Sequence, residues 1–255
     1  MAVTVNPEFS SPALEKFING LPDSFDNAGK ELYNGRNIVK SFVINGQELI
    51  VKRFKKLSFF RALLYLGRTS KATRAYRYGL EILKRGVITP EPVAVINKRH
   101  GILLHDSYFI SLPLHRPDMT FIRNKDFDRH EAKMLAAFVY ELQQRGILHG
   151  DMNMTNILLA DSNAVNPLER YAIIDTNRSV ILPQGKQPTI RQRAKNLMRL
   201  THRRDLMRAV LSSFPLPSPH NSLVTNPTNS LVRITFLSLF RQEHHKRILH
   251  RLFPH

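Results

Sequence analysis

The chain has 255 residues, 38 Lys and Arg against 20 Asp and Glu, and a formal net charge of +18. Hydrophobic residues at 42% and charged residues at 23% describe a globular chain that can bury a core, as one domain or two lobes. With no cysteine there are no disulfides or thiolate metal sites, no run of 18 apolar residues spans a bilayer, and no signal peptide is expected in Met1 to Ser24.

Residues 1 to about 35 read as a lead-in, with a short helix over Ala13 to Ile18. A small, strand-rich lobe follows over 36–112. Gly29 to Asn37 contains two loosely spaced glycines, Gly29 and Gly35, and reads either as a cover for phosphates built from backbone N–H groups or as an ordinary surface turn. Ile38 to Ile44 and Leu49 to Phe54 alternate as two strands, and Asn45-Gly46 between them is a strong hairpin signal.

Between Lys52 and Arg77 there are nine Lys or Arg and no acid. Within that stretch Leu57, Phe59, Phe60, Leu63, Leu64, Tyr65 and Leu66 are bordered by Lys55, Lys56, Arg61 and Arg68. The segment reads either as an interfacial helix on an anionic bilayer or as an amphipathic helix packed on the small lobe. Val93 to Asn97 and Ile102 to Ile110 form a further strand pair turned at His100-Gly101, and Ser111 to Leu114 a hinge.

Residues 113–255 are expected to be mostly helical. Met134, Leu135, Phe138, Val139 and Leu142 make a helical stripe over Glu131 to Arg145, stopped by Gly146. Next comes His149-Gly150-Asp151, with Asn153 and Asn156, and 24 residues after Asp151 an apolar strand, Tyr171 to Ile174, ends in Asp175. This order suits phosphoryl transfer from ATP: one carboxylate orients or deprotonates the acceptor hydroxyl, while an Asn and a second Asp hold the metal ions. Such a site also needs a strand lysine about 100 residues upstream, and Lys52 fills that position.

After Asp175 no long activation segment appears. Ile190 to Leu211 reads as one basic helix, Phe214 to Thr228 as a loop, and Leu231 to Phe253 as an amphipathic basic segment. From Lys186 to His255 there are 13 Lys or Arg and two Asp or Glu, a net +11, which asks for a polyanionic partner. No nucleic-acid motif accompanies the charge, so nucleic acid is not the expected partner. His244 and His245 are adjacent and cannot share a helix face as metal ligands.

Taken together, Asn37 to Lys56, Ser70-Lys71-Ala72, Gly86 to Pro92, the His149-Gly150-Asp151 loop with Asn153 and Asn156, and Ile174 to Arg178 resemble the bacterial lipopolysaccharide kinases of the Kdo/WaaP family. The resemblance spans about residues 30 to 205. It implies an α+β, two-lobed protein-kinase-like fold with a small antiparallel-sheet N-lobe and a mostly helical C-lobe. It also implies an enzyme that uses ATP and Mg²⁺ to phosphorylate a sugar of the lipid A–core, at the inner face of the bacterial inner membrane.

By that resemblance Lys52 pairs with the phosphates, Asp151 is the base with Asn153 beside it, and Asn156 and Asp175 bind metal; Gly35 is the cofactor-binding candidate only if the Gly29 to Asn37 turn is the phosphate cover. One departure stands out. The helix after the lysine strand should carry a Glu for Lys52, yet no acid lies between Leu49 and Leu80. Either Glu81 takes that role or Lys52 has another partner. The rival readings are a kinase of the same fold with a small-molecule or protein substrate, and a non-catalytic binding module. The sequence leaves the oligomeric state open.

Overall fold

Alternation along two neighbouring stretches builds the centre of the sheet. In β4 (Gln47–Phe54) Leu49 and Val51 point to one face while Ile50, Lys52 and Phe54 point to the other. Its antiparallel partner β3 (Asn37–Ile44) is joined to it through Asn45 and Gly46, whose φ values of 51° and 80° are the two left-handed conformations that a tight hairpin requires.

The chain is seen in a computed structural model that describes residues 1–54, 69–101, 103–124 and 127–214, with two short helical pieces at 237–238 and 241–242. The basic apolar segment 55–68, the expected loop beyond 214 and most of the C-terminal basic segment therefore lie outside the described residues. The chain divides into two units, one of residues 1–115 with 175–178, the other of 116–174 with 179–255.

In the first unit, among the described residues, six antiparallel strands run in the order β1-β5-β6-β4-β3-β2. The others are β1 (Ala2–Val5), β2 (Lys30–Asn34), β5 (Pro92–His100) and β6 (Leu103–Ser111). Helix α1 (Pro12–Ser24) covers one face, burying Leu14, Ile18 and Leu21 with Phe25 against Phe42, Leu49, Val51, Ile96, Tyr108 and Ile110. Ser11 caps its first turn, accepting from the Leu14 N–H, and Pro12 occupies the position where a missing N–H costs nothing.

The far end of α1 is held by a buried cation. Lys40 donates from Nζ to the carbonyls of Phe25, Asp26 and Ala28 at 2.7, 3.0 and 3.1 Å. The Phe25 carbonyl is the C-cap acceptor that a helix end leaves unsatisfied, and the other two belong to the turn that follows. The Phe25 ring lies between Lys40 and Arg53, 5.1 and 4.6 Å from the two cations. Arg53 pairs with Asp26 at 2.8 Å, and its hydrogen bond holds that carboxyl below the usual range.

Helix α2 (Lys71–Lys84) covers the other face, with Ala72, Ala75 and Tyr76 against Phe54 and Val95. Ser70 caps it, accepting from the Thr73 N–H at 2.9 Å. Gly79 is required by packing, since a Cβ there would lie 2.7 Å from Pro92 Cγ. The short turn Thr176–Arg178 also packs on α2.

The first 35 residues supply β1, α1 and β2. Their strands are only four and five residues long and mostly exposed, so the apolar alternation that marks β3 and β4 is weak there.

The second unit is built on α3 (Arg129–Gln144), which buries Leu135, Phe138, Val139 and Leu142 and ends at Gly146 in a left-handed conformation, φ 69°. Two small antiparallel pairs follow: β7 (Ile147–Leu148) with β10 (Val180–Ile181), and β8 (Ile157–Leu159) with β9 (Tyr171–Ile173). Glu131 on α3 accepts from Arg170 at 2.6 Å and from the Tyr171 hydroxyl.

The single basic helix expected over Ile190 to Leu211 is instead two, α4 (Ile190–Leu197) and α5 (Arg204–Ser213). The first ends at Leu197, and the chain turns through Met198 to Thr201, whose hydroxyl accepts the Arg203 N–H at 3.1 Å just ahead of α5.

Candidate active site

In the first unit the outward alternation of β4 aims Lys52 away from α1. Its Nζ lies 2.6 Å from Asp175 Oδ1 and 5.3 Å from the centre of the Phe54 ring. Asp175 has φ 58°, a left-handed conformation that Asp tolerates better than most residues, and Asn177 Nδ2 donates to the same oxygen. Glu81 lies elsewhere: Arg85, one turn on, grips it at 2.8 Å. Of the two arrangements the sequence left open, the structure has Lys52 on another partner, Asp175. The inward face of α2 is made of Ala72, Ala75, Tyr76, Gly79 and Ile82, and Glu81 is not on it.

Gly35 lies in the turn between β2 and β3, where its N–H donates to the Asn37 carbonyl at 3.0 Å. That amide is committed within the hairpin.

In the second unit the loop after β7 is fixed largely by side chains. His149 is fully buried. Its Nε2 donates to the Ile174 carbonyl at 2.8 Å, and its Nδ1 accepts the Asp151 N–H at 3.3 Å. Those two bonds select one neutral tautomer. Gly150, at φ 75°, donates its N–H to Asn196 Oδ1 at 3.3 Å, and Ser179 Oγ donates to the His149 carbonyl.

Past Asp151 two asparagines hold the turn. Asn153 Oδ1 accepts the Thr155 N–H at 2.9 Å, and Asn153 Nδ2 points to the Asp151 carbonyl at 3.4 Å. Asn156 Nδ2 donates to that same carbonyl at 2.8 Å, while the Asn156 carbonyl accepts the Ile174 N–H at 3.0 Å. This orientation of the Asn156 amide leaves its Oδ1 as the atom that can ligate a cation. Two of these supports were not singled out in the sequence: Asn196 and Ser179. His149 was visible as part of a motif, but Asn196 lies 46 residues from the peptide it holds, with no local signal.

The donor chemistry fits magnesium, which takes oxygen ligands and usually keeps one or two from the protein beside phosphate and water. In the first unit Asp175 turns an oxygen to a cation, the Lys52 ammonium, and in the second unit Asn156, taken by itself, offers an amide oxygen. Among the described residues no cluster of three or more His, Asp or Glu forms a dedicated metal cage.

A small antiparallel sheet flanked by helices, bearing a strand lysine paired to an Asp, and a helical unit bearing a His-x-Asp loop define a protein-kinase-like fold. A solved structure, WaaP in complex with acyl carrier protein, shares it with a TM-score of 0.61 and 17% identity over 96% of this chain and 99% of that one. The crystal structure of the Rio2 kinase–ADP/Mg²⁺–phosphoaspartate complex from Chaetomium thermophilum is also similar, at TM-score 0.49 and 16% identity over 88% of this chain and 65% of that one. Residues 71–214 match the model of the Lipopolysaccharide kinase (Kdo/WaaP) family. The chain belongs to that family and is a kinase, a phosphotransferase. No curated protein sequence matches it.

Proposed function

We propose that this chain transfers the γ-phosphoryl group of ATP to a hydroxyl of a Kdo or heptose in the lipid A–core region of lipopolysaccharide. The match to the lipopolysaccharide kinase family over more than half of the chain carries this reading. Asp151 orients the acceptor hydroxyl and takes its proton. Lys52 holds the phosphates, exchanging its contact with Asp175 for them. Asn156 and Asp175 would hold Mg²⁺, which neutralises phosphate charge when bound. Asn153 and His149 keep the Asp151 backbone in position. The rate then comes from positioning and charge neutralisation rather than from covalent chemistry by the protein.

Because such an acceptor is fixed to a lipid, the enzyme would work at the inner face of the bacterial inner membrane. Among the described residues no helix is long and apolar enough to cross a membrane, so the reading is one of surface attachment. Exposed cations support it. Arg191 and Lys195 on α4, and Arg204 and Arg208 on α5, are pairs four residues apart, and Asp205 is the one acid between Lys186 and Phe214. A Lys or Arg held near an anionic bilayer contributes about 1 kcal/mol. WaaP was solved with acyl carrier protein, and we extend to this chain a protein partner on a basic surface.

Mass spectrometry of lipid A–core from cells with and without the protein tests the reaction. The core should lack one phosphoryl group per molecule when the protein is absent. An unchanged phosphate content, with purified protein inert on lipid-linked and detached core in Mg·ATP, would sink the proposal.

A further inference from the structure

We propose that the side chains of Tyr33 and Arg36, rather than a run of glycine amides, bind the phosphates of the nucleotide in this chain. The inference rests on ATP being the phosphoryl donor. It begins with what the two glycines do. Gly35 has its N–H spent on the Asn37 carbonyl at 3.0 Å. Gly29, at φ 78°, is pressed against the face of the sheet that α1 covers, since a Cβ there would lie 2.6 Å from Phe42 Cζ. Gly29 is explained by packing and the Gly35 amide is committed within the turn, so the hairpin has no glycine-rich cradle of the usual kind.

The register of the sheet supplies the replacement. Directly opposed residues of antiparallel strands project to the same face. A bulge between Glu31 and Tyr33 sets Tyr33, rather than Leu32, opposite Val39. Val39 is opposite Lys52, and Lys52 is opposite Phe109. Tyr33, Val39 and Lys52 therefore form one cross-strand row. At about 4.8 Å per strand the backbones of Tyr33 and Lys52 are roughly 10 Å apart, a separation a triphosphate can bridge when both side chains reach toward it.

The Tyr33 ring is 55% exposed, unusual for a tyrosine with nothing to gain from water on its apolar body. Its hydroxyl bends over the turn and lies 2.1 Å from where a Cβ of residue 35 would stand. At the same turn Arg36 is exposed and has no partner among the described residues. A phenol hydroxyl and a guanidinium are both donors, and the guanidinium fork matches two phosphate oxygens at once. The turn thus offers side-chain donors at the point where its backbone amide is used up.

The test is calorimetric titration of the full chain and of the variants Tyr33→Phe and Arg36→Gln with Mg·ATP, Mg·ADP and adenosine, alongside steady-state kinetics. Each variant should bind ATP and ADP about tenfold more weakly, the loss of roughly one hydrogen bond to a charged group. Adenosine affinity and the KM for the acceptor should stay at the wild-type value while the KM for ATP rises. Losses of less than about threefold for ATP overturn the inference. Equal losses for adenosine assign the residues to the fold and overturn it too. A wild-type chain that binds no Mg·ATP overturns the ATP reading itself, a result visible before any variant is made.

Discussion

Lys52 Nζ sits 2.6 Å from Asp175 Oδ1, while Glu81, the nearest acid on the helix that follows, is bound to Arg85. Lys52 and Asp175 therefore form a pair, and α2 contributes no carboxylate to it.

Lys52→Met should lower kcat/KM by about 10²-fold, equivalent to about 2.7 kcal/mol of transition-state stabilisation. Glu81→Gln should stay within about threefold of wild type, because it breaks a pair one turn long at a half-exposed position. A double-mutant cycle on Lys52→Met and Asp175→Asn should show strong coupling, and one on Lys52→Met and Glu81→Gln none. Strict additivity of the first pair would mean that the contact has no part in turnover.

Asp151 and Asp175 should separate in binding experiments. Asp151→Asn is expected to abolish transfer yet leave Mg·ATP affinity near wild type, since its partner is the acceptor. Asp175→Asn is expected to weaken Mg·ATP binding itself by removing a metal ligand. Titration calorimetry with Mg·ATP checks both, and equal affinities for the two variants would contradict these roles.

The central strand pairs were legible in the sequence for a physical reason. Alternation in Ile38 to Phe54 with Asn45-Gly46 between leaves one hairpin register that buries Leu49 and Val51, and β3 and β4 adopt it. The strand pair around His100-Gly101 forms likewise as β5 and β6. Edge strands gave no such signal: β1 and β2 are largely exposed, so their place is set by pairing with β5 and β3 rather than by pattern. The break between α4 and α5 was hidden because residues 198–203 contain no Gly or Pro to mark it. Asn196 and Ser179 were invisible because a side chain that holds a distant peptide leaves no local pattern.

Tyr171 should make stability fall on the alkaline side. Burial first, and then the neighbouring Glu131, push its phenol well above the usual range. Its contribution is complete below the ordinary tyrosine pKa of about 10, and it declines as pH rises above that value, because the unfolded chain ionises there first. Urea midpoints measured at about pH 8 and about pH 10.5 should drop more for wild type than for Tyr171→Phe. Parallel drops would place the titration elsewhere.

Vesicle binding should follow charge. Flotation with anionic vesicles at low salt should retain the chain, and retention should fade as the Debye length shrinks to about 8 Å at physiological ionic strength. Replacing Arg191, Lys195, Arg204 and Arg208 by Ser should reduce it, as should replacing Phe59 and Phe60 by Ser. Equal retention on neutral and anionic vesicles would exclude electrostatic attachment.

The contribution of residues 1–35 to the sheet unit bears on how the protein can be cut. A fragment trimmed to the family match at residue 71 would keep the loop of Asp151 but discard four of the six strands, Lys52 and the helix that seals one face. Ala94, Ile96, Tyr108 and Ile110 would then meet water. The stretch by which relatives are recognised is thus smaller than the stretch that folds, and limited proteolysis should find its resistant boundary upstream of α1, not at the start of the match.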